Sequence, residues 1–519
     1  MNGVPPLVMK LPATEQTQHI LLETDARKIN AEIEHLPYAD AATALTMAYR
    51  RLYTLNRFSM PPAKRFKAAQ PFHNAFVRFV AHYRSRISGR FHAQDTDRNE
   101  LDLLLNFMLE LGYAYKHLIQ DTLYAGKNHG RQINGIASVI YMAVLYSYYY
   151  SLFSYNRGRL LGPGHWVEFH WLYALACDTG TENDTVPDPH THSSTVENVY
   201  KKALLLGISS PYTRAADEQW HSADYLERHA RLVSLYPPPD AHFLQEAYSV
   251  SPECTSSAFI PGSQFQVHPQ TKLLDNGRLL DTLHKQIQGL KRGEPLRTAG
   301  LKNVQRDQAV QLLTTLFDTW SRSSTRRDER RVSNEQIGLV WGLDNICIML
   351  DPDQRRMAAI RNSGAGTDRR AWSVANDESP NGFCVRIKEG SPSYPETGQI
   401  VALIREHQGR KSLEMGMVKW AAISRDDIAR CGIERLRGNA KKVSLRSNDE
   451  LISERNGLLI LRKLTSKTLE RQVVVPNGAI KPQNTVSLLP SGESHCSDFK
   501  VDSLILKTRN VDVFKVELL

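Results

Sequence analysis

Apolar residues recur every three to four positions along most of residues 24–321, the period of an amphipathic helix. Asp25–Glu34 reads as a helix ending near Leu36-Pro37. Asp40–Leu55 carries Ala44, Met47, Ala48 and Leu52 on one face. Pro61-Pro62 suits the first turn of a third helix. Pro71–Ser88 repeats the pattern with Phe76, Phe79, Val80 and Tyr83, and Arg98–Leu118 with Leu103, Leu104, Phe107, Met108 and Leu111. Gly135–Tyr155 carries no charge at all, and Trp166–Cys177 is aromatic and apolar. Asp178–Ser194 is rich in turn residues and reads as an exposed loop. Helical spacing returns at Asn198–Ile208, Thr213–Leu235, Asn276–Leu290 and Val304–Ser321, with a hairpin expected around Phe265-Gln266-Val267.

Beyond Arg331 the rhythm changes to short β-rich runs between turn residues. Expected strands are Gln336–Trp341, Ala371–Val374, Gly382–Ile387, Ile400–Arg405, Leu413–Ala422 and Gly432–Arg435. A further set follows at Leu458–Leu464, Gln472–Val475, Thr485–Leu489, Phe499–Leu506 and Val511–Leu518. The charged, glycine-bearing stretch Asp351–Thr367 reads as an inserted loop or short helix. The fold class expected is α+β and multidomain: an all-α bundle or repeat-like array over 1–320, a β-barrel over 321–440, and a second β-rich subdomain over 441–519.

Composition changes little in this picture. At 519 residues with 41% hydrophobic and 23% charged residues, the chain has ample core for about three globular domains. The uncharged Gly135–Tyr155 is long enough to span a bilayer. Its serines (Ser138, Ser147, Ser151, Ser154) and six tyrosines, set among amphipathic helices, instead predict a buried helix. No transmembrane segment and no secretory leader are expected, and the six cysteines without a C-x-x-C pair suit reduced thiols in a cytoplasm. The net charge of +10 comes without a helix-turn-helix, zinc-finger or RNA-binding signature, so a nucleic-acid polymer is not an expected partner. His165 and His170, five apart, and His190 and His192, in the polar loop, do not make a convincing metal set. No phosphate loop, nucleophile elbow, H-E-x-x-H or carboxylate pair is present, which argues against an enzyme.

The sharpest chemistry lies between Ser321 and Gly382. Arg326 and Arg330, and likewise Arg327 and Arg331, are spaced R-x-x-x-R. Asp377, Ser379 and Gly382 are spaced D-x-S-x-x-G. Arginine can fork onto a phosphate, pair with guanine O6 and N7, or stack on a base. A carboxylate such as Asp377 can accept from guanine N–H groups, and Ser379 can donate to a phosphate. Gly382 admits a close backbone approach or a positive φ. The same residues also suit a solvated linker and a turn.

In this order the two elements resemble the PilZ domain, a small β-barrel that binds cyclic di-GMP. Val332 fits a strand starting after the second arginine. Met415-Gly416-Met417-Val418-Lys419-Trp420 and Cys431-Gly432-Ile433-Glu434 are similar to later strands of that family. Arg331 and Asp377 stand 46 positions apart, so a segment including Pro352–Asp368 is inserted relative to a simple PilZ domain. With less specificity, Leu55-Asn56-Arg57 and Trp171-Leu172-Tyr173 resemble proteobacterial PilZ-domain proteins with a long helical N-terminal part. The resemblance implies a cytoplasmic, non-enzymatic cyclic di-GMP receptor needing no cofactor. Arg326, Arg327, Arg330, Arg331, Asp377, Ser379 and Gly382 would bind the ligand, and the helical half would engage a protein partner whose identity the sequence leaves open. The alternative is a PilZ-like scaffold or interaction protein that has stopped binding nucleotide. G-G-D-E-F and E-A-L segments for making or breaking cyclic dinucleotides are absent.

Overall fold

The computed structural model describes residues 9–14, 22–87, 95–123, 135–188, 192–240, 242–302, 304–321, 331–351, 371–387, 395–407, 410–424, 426, 428–446, 455–464, 468–508 and 510–519. Two compact units result: Met1–Pro211 with Ala216–Thr325, and Arg326–Leu519 with the short piece Tyr212–Ala215. The fold is α+β and multidomain, as the change of period along the chain predicts.

The first unit contains α1 (Ala26–Glu34), α2 (Ala41–Asn56), α3 (Pro62–Ile87), α4 (Asp95–Leu123), α5 (Ile136–Asn156) and α6 (Pro163–Asp178). It continues with α7 (Val196–Ile208), α8 (Ala216–His229), the single-turn α9 (Phe243–Glu246), α10 (Gly277–Lys291) and α11 (Arg306–Ser321). Side chains stop the open backbone donors at several starts. Asp25 accepts from the amides of Arg27 and Lys28, Asp40 from Thr43, and Thr195 from Asn198.

Helix α5 is the centre of this unit, packed by α4, α6, α7 and α8. Among the described residues it is the one helix long and apolar enough to cross a membrane, and 67% of its apolar window is buried inside the unit. Several of its polar groups are answered internally. Ser147 and Ser151 each donate at 2.9 Å to the carbonyl one turn back, and Tyr141 donates to the buried Asp188 carboxylate. That satisfaction makes burial of a serine- and tyrosine-rich helix affordable in a protein core.

Several local expectations give way to tertiary packing. Helix α3 runs straight through Pro71 instead of starting there. The lost hydrogen bond is offset by burial of Ala68, Ala69, Phe72, Ala75 and Phe76 on both sides of it. The Asp178–Ser194 stretch contains a small hairpin, β1 (Val186–Asp188) with β2 (His192–Ser194). The Thr213–Leu235 helix is cut to α8, followed by β3 (Ser234–Tyr236). No strand forms at Phe265–Val267. The ring of Phe265 stacks on Phe259 at 3.9 Å, and the sheet is β3 with β4 (Tyr248–Val250) and β5 (Lys272–Asp275), in the order β3-β5-β4.

The second unit begins with β6 (Arg331–Val332), β7 (Gln336–Trp341) and α12 (Leu343–Leu350). Strand β7 cannot continue into the apolar residues after it, because Gly342 takes φ +83° and turns the chain into a helix. Then come β8 (Ala371–Ser379), β9 (Gly382–Ile387), β10 (Ile400–His407), β11 (Arg410–Ile423) and β12 (Ala429–Leu436). The sheet order is β6-β8-β7-β10-β11-β12-β9, and the pairing of β8 with β9 closes it into a ring. Inside lie Ile337, Leu339, Trp341, Phe383, Val385, Val401, Leu403, Val418 and Ile433, the alternate positions of each strand.

A closed barrel follows in the order β13-β14-β15-β18-β17-β16, from β13 (Asn439–Arg446), β14 (Arg455–Lys463), β15 (Leu469–Pro476), β16 (Thr485–Pro490), β17 (Ser497–Lys507) and β18 (Val511–Leu518). Its interior takes Val443, Leu459, Val473, Leu488, Phe499 and Phe514. The outward Leu458, Ile460, Val474 and Val513 meet α12 and the outward Val340, Ile400, Ala402, Met415 and Met417 of the first ring. A second apolar face on these strands thus welds the two barrels into one unit.

Two of the histidines discounted as metal ligands, His165 and His170, are absorbed by packing. His165 Nε2 lies 2.8 Å from Ser151 Oγ. His170 is buried, with Nδ1 2.5 Å from the Tyr200 hydroxyl and Nε2 2.7 Å from the Ser256 carbonyl. His190 lies outside the described residues. Among the described residues no group of three or more His, Cys, Asp or Glu could hold a metal.

Burial moves the His170 pKa from its ordinary 6.5 down to about 4, with the bond to Ser256 opposing part of the shift. An unfolded chain then binds the proton first. The stabilising contribution is full above pH 6.5 and is lost as pH falls toward 4, by about 3 kcal/mol at the acid end. Urea unfolding of the full chain at pH 7.5, 6 and 5 is expected to show this slope, and His170→Asn to show a shallower one. An equal slope in the variant would assign the acid sensitivity elsewhere.

Candidate functional site

Four of the motif residues, Arg331, Asp377, Ser379 and Gly382, lie in or beside the hairpin that joins β8 to β9. Ser379 pairs with Gly382 across a two-residue turn made by Pro380 and Asn381. Arg437 steadies that turn, donating at 2.7 Å to the Asn381 side chain. Asp377 lies just after a bulge in β8, where the register against β9 shifts between Ala375 and Asp377. Such a bulge re-aims the residues that follow it.

The chain from Arg331 to Gln336 runs antiparallel along this part of β8. Arg331 faces Glu378, Val332 faces Asp377, and the Ser333 amide donates to the Asn376 carbonyl at 2.9 Å. Residues 45 and 47 positions apart in sequence are therefore cross-strand neighbours, at the usual strand spacing of about 4.8 Å, with Arg331 and Asp377 on the diagonal. Pleat alternation sets Arg331 on the Glu378 face and Asp377 on the Val332 face. The Arg331 guanidinium is exposed and makes no hydrogen bond or ion pair among the described residues. Val332 beside it is 85% exposed, an unusual position for a β-branched apolar side chain. Arg326, Arg327 and Arg330 lie outside the described residues.

Two motif residues also have packing roles that the spacing does not specify. The Ser379 hydroxyl is buried and points back to the Gly382 carbonyl at 3.4 Å, so it locks the turn. Gly382 does not take a positive φ. A Cβ there would sit 2.4 Å from the Ile433 carbonyl of β12, so the glycine is required by strand-to-strand approach. The later landmarks interlock in the same way. A Cβ on Gly432 would fall 2.0 Å from the Trp420 indole, and one on Gly416 2.3 Å from the Ile433 side chain. Gly416, Trp420, Gly432 and Ile433 are thus one packing unit across β11 and β12.

A charged network beneath Arg331 was not anticipated. Glu378, the unassigned position between Asp377 and Ser379, ion-pairs with Arg435 and, at 3.1 Å, with Arg405. Arg405 also reaches Glu335 at 3.1 Å, and Arg435 reaches Glu414 at 3.4 Å. Both guanidiniums lie over the Phe383 ring, 4.8 and 4.0 Å from its centroid. Five side chains from β8, β10, β11, β12 and the β7 entry thereby hold the strand that carries Asp377. The two arginines spend their charge on these carboxylates, whereas Arg331 and Arg437, both at the hairpin, have no carboxylate partner among the described residues. The one signal available beforehand was the acidic Glu378 inside the motif; its partners are 27 or more positions away.

The arrangement offers an uncompensated guanidinium, a carboxylate one strand away, and an exposed apolar edge between them. That set suits an anionic ligand with N–H donors and a flat apolar surface. No curated protein matches the chain. Residues 27–240, within the helical unit, match the family model described as the N-terminal domain of the cyclic-di-GMP receptor FimW.

Proposed function

We propose that this chain is a cyclic di-GMP receptor, a binding protein and not an enzyme, whose nucleotide sits at the edge formed by β6 and the end of β8. Support comes from two directions. The helical part is similar to a domain of a receptor for this nucleotide. Independently, the PilZ-like motif residues Arg331 and Asp377 come together at one sheet edge. The register that sets Arg331 opposite Glu378 is the observation that carries the site.

Cyclic di-GMP carries two phosphodiesters and two guanines. Arg331 would take a phosphate or the guanine O6/N7 edge on one face, and Asp377 would accept guanine N–H groups on the other. A ligand reaching both must straddle the two-residue strand β6. Arg326, Arg327 and Arg330 immediately precede that strand in sequence and would close over the ligand from the same segment. This segment also joins the two units, so ordering it around a nucleotide would couple binding to whatever cytoplasmic partner the helical unit engages.

Calorimetric titration of the full chain with cyclic di-GMP, with GTP and cyclic di-AMP as controls, tests the reading. Binding of cyclic di-GMP with a Kd of about 10 μM or tighter, near −7 kcal/mol, and weakened in R331A where any GTP binding is not, is the expected result. Absence of binding at ten times that concentration would instead make the barrel a scaffold.

A further inference from the structure

We infer that the helical unit holds a second ligand site, a cavity between α1, α3, α4 and α5 that takes a purine nucleotide. This site is independent of the strand-edge site. The cavity, open to solvent on one side, measures about 800 Å³, inside the range of about 300–1,000 Å³ typical of small-molecule pockets.

Its charge pattern points to the ligand. Arg27 on α1 and Lys67 on α3 line it, both exposed. Neither side chain has a hydrogen-bond or ion-pair partner among the described residues. Several helix-borne cations elsewhere in the unit are paired, among them Arg51 with Glu32, Arg57 with Glu110, Arg86 with Glu100, Lys116 with Glu168 and Lys202 with Glu227. Arg50, Lys64 and Lys285 also lack a partner among the described residues, but they do not line the cavity. Two unpaired cations converging on one cavity suit a phosphate.

The rest of the lining suits a base. Gln70 and Asn74 follow Lys67 at helical spacing, so α3 presents a cation and two amides on one face. Their side chains also lack partners among the described residues, and amides read the mixed donor and acceptor edge of a purine. Deeper in, Phe66 and the fully buried Tyr115 meet edge to face at 6.4 Å, and Met142 extends this apolar wall. Rings and a thioether favour a flat aromatic body. The buried Asp188 carboxylate, already holding Tyr141, lies in the inner wall. Cations outside and a carboxylate inside match a molecule with phosphate at one end and N–H groups at the other.

Titrations of the full chain with GTP, ATP, cyclic di-GMP and inorganic tripolyphosphate test this. They are to be run on the wild type, on a double R27E/K67E variant and on R331A. Both reversed positions are exposed and unpaired, so the fold should survive. The expected result is a purine nucleotide that binds wild type and R331A alike. It should bind R27E/K67E about tenfold or more weakly, and tripolyphosphate should bind less well than the nucleotide. Equal affinity in R27E/K67E, or no purine nucleotide sensitive to it, overturns the cavity site. Tripolyphosphate binding as tight as the nucleotide overturns the base-binding part. Cyclic di-GMP lost in R27E/K67E but kept in R331A would support the cavity and sink the strand-edge site. The reverse, with GTP and ATP silent, would do the opposite.

Discussion

Arg331→Ala and Asp377→Asn, made separately, are each expected to weaken cyclic di-GMP binding by about 10- to 100-fold. That is the loss of one or two hydrogen bonds to a charged group. Both variants should unfold at nearly the wild-type denaturant concentration. The Arg331 side chain is exposed and bonds to nothing among the described residues, so its removal leaves no buried partner behind. Asn preserves the volume and most hydrogen-bonding capacity of Asp377 while removing its charge. Calorimetry for affinity and urea melts for stability read the two effects apart. Wild-type affinity in both variants would remove the nucleotide from this edge, however well the barrel folds.

Gly382→Ala should behave in the opposite way, costing stability before it costs affinity. The added methyl would have to fit 2.4 Å from the Ile433 carbonyl, and Gly382 is held there by its pairing with Glu434. Backbone on both sides has little freedom to retreat, so a loss of about 3 kcal/mol is expected, at the upper end for overpacking. A lower urea midpoint for the second unit, measured without ligand, checks this. If stability is unchanged and only binding is lost, the glycine serves ligand approach and the packing account fails.

These two variants separate roles that a motif merges. D-x-S-x-x-G reads as three ligand contacts. Ser379 holds the turn and Gly382 the fit of β9 against β12, leaving Asp377, on the opposite face of the strand edge from Arg331, as the member with no such packing task. Glu378, which the motif leaves unassigned, has a larger structural part than either. Removing its carboxylate would leave Arg405 and Arg435 facing each other over Phe383 with one fewer counter-charge.

Sequence alone determined the elements whose causes are local. The 3.6-residue period placed α1, α2, α4, α6, α7, α10 and α11 close to where they form, and alternation placed most strands of both barrels. Helix caps and apolar stripes act within a few residues, so they are legible without knowing the fold. The buried nature of α5 was also readable, because serines and tyrosines at that density need partners a bilayer does not offer.

Tertiary structure decided what depends on distant residues. Pro71 stays inside α3 because core packing on both sides outweighs one missing hydrogen bond. Arg331 comes to lie opposite Glu378, diagonal to Asp377, only because β6 lies down on β8, a register that the long separation in sequence does not specify. The Glu378 network and the interlocking glycines exist only once β9 and β12 are adjacent, and that adjacency comes from closing the ring. Cross-strand pairs and close backbone approach arise from pairing, not from the composition of either strand, which is why motif spacing could only mark these residues and the closed barrel gave each its packing.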